Sequence, residues 1–318
     1  MAGTVNITLV IATYNGQHTL PQTLNSINAI EIPDCVCFNL IVINNNSTDD
    51  TAKILQEFNY LFPVEILFQP KAGKNAALNC IFDPDVVLGD LLIFSDDDVV
   101  FPSNFLTIYF KLFSKHRDYG IFGGQVSALW PSIPSKNMLE GIDPVVAFAI
   151  TPETAGYVEG EIDPIKLHGP NMAIVKNIFN DGLRFNENIG PNGGNYVMGS
   201  ETDMLYQLKA KKIKAYYCTS LIVQHIIRPN QLTKKWLAGR AYKAGRSLVM
   251  HQTKSNQTIA AATFAGYPRW ALIQRWKKLI RLLFCSKNSI LGYKLLWQTN
   301  HLNGYCDEFK HYMDDTKK

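Results

Sequence analysis

The chain has 318 residues, of which 47% are hydrophobic and 18% charged, and it contains 14 Tyr, 17 Phe and 5 Trp. This composition excludes a disordered or collagen-like chain and indicates a folded globular protein with a sizeable core. The net charge of +4 points to no particular partner, but it is unevenly distributed. Residues 1–227 carry 14 Lys and Arg against 23 Asp and Glu, whereas residues 228–318 carry 17 against 4.

Short apolar runs alternate with helix-like segments in the N-terminal third. The sequence predicts strands at 7–12, 38–43, 64–68 and 91–94. Helical periodicity follows the first strand at 20–27 and the third at 74–81, and Ser47 or Thr48 is predicted to cap a helix after the second strand. Repeated strand–helix order predicts an α/β fold with a mostly parallel central sheet and helices on both faces.

Three consecutive acids, Asp96, Asp97 and Asp98, follow the fourth predicted strand and precede the apolar run 99–102. Ligands of such sheets bind beyond the carboxyl ends of the strands. Adjacent carboxylates repel one another unless solvent or a divalent cation neutralises them, and hard oxygen ligands suit Mg²⁺ or Mn²⁺. A solvated acidic turn is the alternative, but the apolar segments on both sides favour a cation site that clamps a diphosphate.

Seven segments occur in the order seen in family 2 glycosyltransferases. They are Thr8–Gly16 (TLVIATYNG), Ile41–Asp49 (IVINNNSTD), Gly73–Asn79 (GKNAALN), Leu92–Val99 (LIFSDDDV), Gly169–Val175 (GPNMAIV), Gly199–Asp203 (GSETD) and Val223–His225 (VQH). The chain therefore resembles this family, and the ordered set is far more specific than any one segment. The resemblance implies the GT-A fold, which is Rossmann-like, followed here by a C-terminal helical extension.

The resemblance implies a division of the chain into three parts. Residues 1–102 would be the nucleotide-sugar-binding half of the GT-A domain, residues 103–228 its acceptor-binding and catalytic half, and residues 229–318 a basic helical region. Long helical patterns at 232–251 and 270–284 support the last of these.

The same resemblance assigns the donor-binding residues. Thr13 and Tyr14 would line the base and ribose pocket. Asn44 stands where the family usually has an acid, and its amide oxygen can still accept a hydrogen bond from uracil. Lys74 opens a helix at a place where a cation can meet a phosphate or an adjacent acid; a solvated surface lysine is the alternative.

Asp96 and Asp98 are the pair that matches the family's DXD motif. Asp96 and Asp97 would contact the donor, with Asp97 facing the opposite side because successive strand residues alternate. Asp98 and His225, which ends the apolar run 221–223, would hold Mn²⁺ or Mg²⁺. A structural histidine is an equal alternative for His225.

Two acids are candidates for the general base. Glu201 and Asp203 fall in the predicted first turn of a helix, where acids are also ordinary capping features. A carboxylate that removes the acceptor hydroxyl's proton is needed, because a hydroxyl is a poor nucleophile at neutral pH. Alignment on Gly199 favours Glu201, with Asp203 as the alternative.

The acceptor side is expected to include Asn171 and His168, together with the loops 151–170 and 190–199. For His168 the alternative is that it merely shapes its loop. Transfer with a single base inverts the anomeric carbon, as the family resemblance also implies.

The basic C-terminal region contains an amphipathic helical pattern at 269–284. Leu272, Ile273, Trp276, Leu279, Ile280 and Leu283 recur on one face, with Lys277, Lys278 and Arg281 on the other. Such a helix can lie on an anionic membrane or pack on the catalytic domain; the absence of acids between Arg228 and Cys306 favours the membrane. Nucleic acid is not expected as a partner, because no nucleic-acid-binding signature is present.

We expect a cytoplasmic location, peripheral to the membrane. The six cysteines form no CxxC pair, no export signal is visible, and no apolar run approaches the ~18 residues that span a bilayer.

The sequence and its family resemblance therefore predict a non-processive, inverting, metal-dependent glycosyltransferase. It would move a sugar from a UDP-linked donor to a glycan or lipid-linked acceptor in bacterial surface polysaccharide or glycoconjugate assembly. A nucleotidyltransferase of related fold and an inactive nucleotide-sugar-binding or membrane-binding module are the alternatives.

Overall fold

The computed structural model describes residues 4–191, 197–254 and 262–315. Its strands are β1 Val5–Thr13, β2 Val36–Asn44, β3 Val64–Phe68, β4 Leu91–Asp96, β5 Val99–Val100, β6 Ile121–Leu129, β7 Gly160–Ile162, β8 Met172–Val175, β9 Ala215–Ile226, β10 Thr263–Phe264 and β11 Tyr267–Pro268. Its α-helices are α1 Leu20–Asn28, α2 Thr51–Glu57, α3 Lys74–Asn79, α4 Phe105–Lys115, α5 Lys136–Gly141, α6 Pro144–Phe148, α7 Ser200–Ala210, α8 Lys234–Lys254, α9 Arg269–Leu283 and α10 Ile290–Asp315.

The chain divides into two compact units. The first comprises the described residues of 1–129, 149–195 and 199–226, and the second those of 130–148, 196–198 and 227–318. The three-part division expected at 102 and 228 stays a prediction.

Nine of the described strands form one sheet, which is the centre of the first unit. Its order is β3-β2-β1-β4-β8-β6-β9-β5, with β7 paired to β9. The neighbours from β3 to β4 are all parallel, and β6 is parallel to β9, whereas β8, β5 and β7 run antiparallel to their neighbours. The predicted α/β fold with a mostly parallel sheet is confirmed, with the antiparallel strands gathered in one half.

Alternation along the strands explains why helices cover both faces of this sheet. Ile7, Leu9 and Ile11 of β1 pack in one apolar cluster with α1 and α4. Val10 belongs to the opposite cluster, which includes residues of α3 and α7. The apolar runs are continuous because both strand faces are buried.

The helix after β2 begins later than the sequence predicts. Neither Ser47 nor Thr48 caps it, since α2 starts at Thr51. The Ser47 hydroxyl accepts a hydrogen bond from the Asn15 amide at 3.0 Å, and the Thr48 amide donates to the Asn15 side chain at 2.8 Å. Both residues therefore tie two loops together instead of starting a helix.

The described part of the second unit contains helices and the short β10–β11 hairpin. Its two longest helices, α8 and α10, approach closely at glycines. A methyl group placed on Gly245 would lie 1.9 Å from the His301 carbonyl oxygen, and one on Gly304 would lie 1.8 Å from the Tyr242 carbonyl oxygen. Glycine is required at both places because any side chain would push the backbones apart. None of the described helices is both long and apolar enough to cross a bilayer.

Candidate active site

The polar ends of three parallel strands meet at one edge of the sheet. In the strand register Thr13 of β1 pairs with Asn44 of β2, and Ala12 pairs with Asp96 of β4. The structure thus brings together the residues that the sequence assigns to nucleoside and diphosphate binding, at the edge where α/β sheets bind ligands.

The three consecutive acids each take a different partner. Asp96 accepts a hydrogen bond from Lys74, and Asp97 accepts one from the Thr13 hydroxyl. The Asp98 Oδ1 lies 3.1 Å from the Nε2 of His225, and both side chains are buried. The acids are therefore not fully solvated, and Asp96 and Asp97 take different partners.

Lys74 joins Asp96 to Glu201. Its Nζ donates a hydrogen bond to the Oδ1 of Asp96 and to the Oε1 of Glu201. Burial alone would lower the pKa of Lys74, but the two carboxylates outweigh burial and raise it, so the ammonium stays charged. Burial raises the pKa of Asp96, and the nearby Glu201 and Asp98 act in the same direction, while Lys74 opposes them.

Two asparagines position this ion pair. Asn45 receives a hydrogen bond from the Gly73 amide at 2.8 Å and donates to the carbonyls of Gln69 and Lys71, which fixes the loop before Lys74. Asn75, one residue into α3, accepts a hydrogen bond from the Ser200 hydroxyl at the start of α7. The hydrogen bond between Ser200 and Asn75 joins the start of α7 to the start of α3. Because Lys74 precedes Asn75 and Glu201 follows Ser200, this bond holds the two charged residues near each other.

The two candidate bases occupy different surroundings. Glu201 reaches the ion pair with Lys74, whereas Asp203 is buried and accepts a hydrogen bond from Gln207 one turn later in the helix, at 3.0 Å. Gly169 lies against Glu201, because a methyl group there would be 2.5 Å from the Glu201 Cγ. Glu201 thus contacts Lys74, which also contacts Asp96 at the strand edge.

The nucleoside-binding candidates differ in exposure. Tyr14 is 52% exposed at the end of β1, so its ring is accessible, whereas Thr13 and Asn44 are buried. The Asn44 side-chain oxygen accepts a hydrogen bond from the Ser47 amide at 3.0 Å. One lone pair of that oxygen remains for a further donor.

The two acceptor candidates also differ. Asn171 is fully buried; its amide donates to the Gln125 and Leu221 carbonyls and accepts from the Tyr109 hydroxyl at 2.9 Å. The structure therefore assigns this side chain to joining β6, β9 and α4 and does not bring it to an acceptor surface. His168 is half-buried beside Gly169, and its Nε2 has no hydrogen-bond partner among the described residues. Residues 192–196 of the second predicted acceptor loop lie outside the described part of the chain.

Asp98 and His225 are the candidate ligands of a divalent cation. No cluster of three or more His, Cys, Asp or Glu side chains suited to a metal occurs within the described residues. Carboxylate oxygens suit Mg²⁺ and Mn²⁺, imidazole nitrogens bind transition metals, and Mg²⁺ commonly completes its shell with substrate phosphates. The Asp98 Oδ1 and the His225 Nε2 lie 3.1 Å apart as an ion pair, so a cation there would need further ligands from the donor or from water.

Two glycines at the site make close approaches that the sequence does not predict. Gly16 lies so close to Asp97 and Thr13 that a methyl group on it would be 2.5 Å from an oxygen of each. Gly169 is pressed against Glu201 in the same way. Both glycines stand in motifs quoted above, but which side chain each approaches depends on the tertiary fold.

A family model described as "Glycosyl transferase family 2" matches residues 8–174. The chain belongs to this family. It is a glycosyltransferase, and the family predicted from the seven motifs is confirmed. Among curated proteins, the succinoglycan biosynthesis protein ExoM of Rhizobium meliloti (strain 1021) is 23% identical over 250 residues, which cover 77% of this chain and 74% of that protein.

Solved structures of glycosyltransferases share the fold. A mannosyltransferase, PcManGT from Pyrobaculum calidifontis in complex with GDP-Man and Mn²⁺, aligns with a TM-score of 0.60 and 13% identity, covering 96% of this chain and 88% of that one. S. aureus TarS 1-349 in complex with UDP-GlcNAc aligns with a TM-score of 0.54 and 13% identity over 98% and 92% of the two chains. At these identities the similarity shows the fold, which agrees with the predicted GT-A class.

Proposed function

We propose that this glycosyltransferase transfers a sugar from a nucleotide-sugar donor to an acceptor hydroxyl with inversion, using Glu201 as general base. The observation that carries the proposal is the meeting of Asp96 and Glu201 on Lys74, at the edge where Thr13, Asn44 and Asp98 also lie. A donor diphosphate at this edge would have the candidate base close to its sugar.

The nucleoside would occupy the ends of β1 and β2. The accessible ring of Tyr14 offers a surface for the base, and the free lone pair of Asn44 can accept an imide N–H. A uracil or a guanine base supplies such a donor, and the structural neighbours were solved with a uridine or a guanosine diphosphate sugar. We favour the UDP-linked donor expected from the sequence.

Asp98 and His225 would hold Mn²⁺ or Mg²⁺, with Asp96 and Asp97 near the donor. When bound, the cation supplies positive charge that stabilises the departing diphosphate. Lys74 supplies a further positive charge from the protein itself, at the opposite end of the acidic run.

Glu201 would take the proton of the acceptor hydroxyl. As the proton moves to the carboxylate, the oxygen forms a bond to the anomeric carbon, and the bond from that carbon to the diphosphate oxygen breaks on the opposite face. The nucleoside diphosphate leaves with the bonding electron pair. His168, beside Gly169, would contribute to the acceptor side as expected from the sequence, and its buried Nε2 has no hydrogen-bond partner among the described residues.

The acceptor would be a glycan or a lipid-linked glycan in surface polysaccharide assembly on the cytoplasmic side of a membrane. Two observations support this context: the relative ExoM acts in succinoglycan biosynthesis by its name, and the C-terminal region is strongly basic.

A panel of nucleoside diphosphates tests donor binding. We expect UDP with Mn²⁺ to raise the melting temperature of the full chain more than GDP does, because a ligand of the folded state stabilises it by mass action. Asp98→Asn should abolish the additional shift that Mn²⁺ gives. If no nucleotide raises the melting temperature, donor binding at this site is excluded.

A transfer or donor-hydrolysis assay tests the base. Glu201→Gln should lower turnover by about 10²- to 10⁴-fold and leave the nucleotide-dependent thermal shift intact. Asp203→Asn is the matched control and should retain turnover. Loss with Asp203→Asn alone would assign the base to Asp203, and release of pyrophosphate from a nucleoside triphosphate would indicate a nucleotidyltransferase instead.

A further inference from the structure

Helix α9 exposes a row of large apolar side chains. Ile273, Trp276, Ile280 and Leu283 recur at intervals of three, four and three residues, which places them on one face of the helix. Trp276 is 65% and Leu283 81% exposed, and Phe284 just after the helix is 85% exposed. Contiguous exposed apolar surface of this kind marks an interaction site.

Two residues in the first turn of α9 anchor the helix within the second unit. Ala271 is buried and Leu272 packs against a cluster that includes Leu302, Tyr305 and Phe309 of α10. The periodicity predicts Leu272 on the same apolar face as Trp276. In the structure Leu272 packs against residues of α10, whereas Ile273, Trp276, Ile280 and Leu283 are each more than half exposed. We call these four residues the exposed row.

Positive charge accompanies the exposed row. Lys277 and Arg281 are exposed and follow Trp276 and Ile280 by one residue each. No acidic residue occurs in the sequence between Arg228 and Cys306. An apolar row with adjacent cations is complementary to a surface that is apolar inside and anionic outside, which is the interface of an anionic lipid membrane.

A second copy of the chain fits the same face less well. Pairing two such faces would bring Lys277 and Arg281 of one copy toward those of the other without any nearby acid. A nucleic acid would satisfy the cations but leave the apolar row exposed.

We propose that the exposed row of α9, together with Lys277 and Arg281, docks the enzyme on an anionic lipid surface. This inference extends the membrane-side location in the proposed function and does not depend on the catalytic assignments. Helix α9 lies in the membrane plane and does not cross the bilayer, since it has 15 residues.

Vesicle flotation of the full chain tests the proposal. The chain should float with vesicles of phosphatidylcholine mixed with phosphatidylglycerol and bind far less to phosphatidylcholine alone, and added salt should weaken the binding. Trp276→Glu combined with Ile280→Glu should lower the affinity at least about tenfold. Lys277→Glu combined with Arg281→Glu should also weaken binding to the anionic vesicles and remove most of its salt dependence.

Exposed apolar residues elsewhere provide the controls. Val87 is 79% and Ile133 97% exposed, and Val87→Glu or Ile133→Glu should leave flotation unchanged. Unchanged flotation of the α9 variants, or an equal loss in the controls, would overturn the proposal. Conversion of a dimer to a monomer by Trp276→Glu and Ile280→Glu, in a chain that binds no vesicles, would assign the face to self-association instead. Vesicle-free donor hydrolysis reports separately on the proposed function and should be the same in all these variants.

Discussion

Lys74 donates a hydrogen bond to Glu201, although 127 residues separate the two in the chain. The same ammonium contacts Asp96, so one cation joins the acidic strand end to the candidate base. Without this ammonium, the carboxylates of Asp96, Asp98 and Glu201 would repel one another in a partly buried site. Lys74 therefore controls both where Glu201 lies and how readily Asp96 stays ionised.

Lys74→Met should shift the acidic limb of the pH–rate profile to higher pH. Lys74 lowers the pKa of Asp96 against burial and the neighbouring acids, so its removal raises that pKa further and Asp96 takes up a proton at a higher pH. Turnover at neutral pH should fall by about 100-fold. Steady-state donor hydrolysis measured across pH checks both effects.

Lys71→Met is the matched control for Lys74→Met. Lys71 is exposed and pairs with Glu187 at 2.5 Å, away from Asp96. Its removal should leave the pH profile in place. A wild-type acidic limb in Lys74→Met would contradict the assigned role of Lys74.

Gly169→Ala should separate catalysis from stability. The added methyl group would lie 2.5 Å from the Glu201 Cγ, and a flexible side chain can move away without unfolding the backbone. Displacement of the base by about 1 Å can cost about 100-fold in rate. We therefore expect a large loss of kcat with little change in melting temperature or in nucleotide binding. Unchanged kcat would mean that Glu201 does not act from its observed position.

Local patterns predicted the strands of the sheet well. The run 64–68 gives β3 with its observed bounds, although β3 is an edge strand and its residues are half-buried or exposed, because apolar residues that favour strands occupy four of its five positions. The sequence also predicts that the three acids lie at the end of β4, and there they meet the end of β1 because parallel strand ends converge on one edge.

Contacts between distant segments could not be predicted from the sequence. The spacing of residues contains no information that Lys74 meets Glu201, or that Gly169 presses on the same side chain. Ser47 has the chemistry of a helix cap, but the Asn15 amide of a neighbouring loop uses its hydroxyl. The division of the α9 apolar residues into an anchored and an exposed set likewise depends on where α10 lies.

The stability contributed by Asp49 should disappear in acid. Partial burial raises the pKa of Asp49, but hydrogen bonds from the Thr51 hydroxyl and amide and from the Gln17 amide outweigh it, and the net pKa is lowered from 3.8. A carboxyl with a depressed pKa in the folded state stabilises that state above its unfolded pKa and loses the effect as pH falls through the folded value. Asp49→Asn should therefore be destabilising at pH 7 and approach the wild type in stability as the pH falls below 3.8 and through the lowered pKa of the folded state.

Denaturant unfolding at a series of pH values measures this difference. Asp50→Asn removes the same charge from the exposed neighbouring residue and serves as the control, with little effect at any pH. A constant difference between Asp49→Asn and the wild type across the acid range would argue against ionised Asp49 as the hydrogen-bond acceptor.

Gly304→Ala should destabilise the helical second unit. Its methyl group would lie 1.8 Å from the Tyr242 carbonyl oxygen, which belongs to backbone and cannot rotate away, so α8 and α10 would have to separate. Overpacking of this kind costs about 1–3 kcal/mol, which thermal or denaturant unfolding would detect. Gly239→Ala in α8 is the control, because no atom lies within 4 Å of its added methyl group and alanine favours the helix by about 0.5–1 kcal/mol. Equal stability of the two variants would mean that α8 and α10 do not pack at Gly304 in solution.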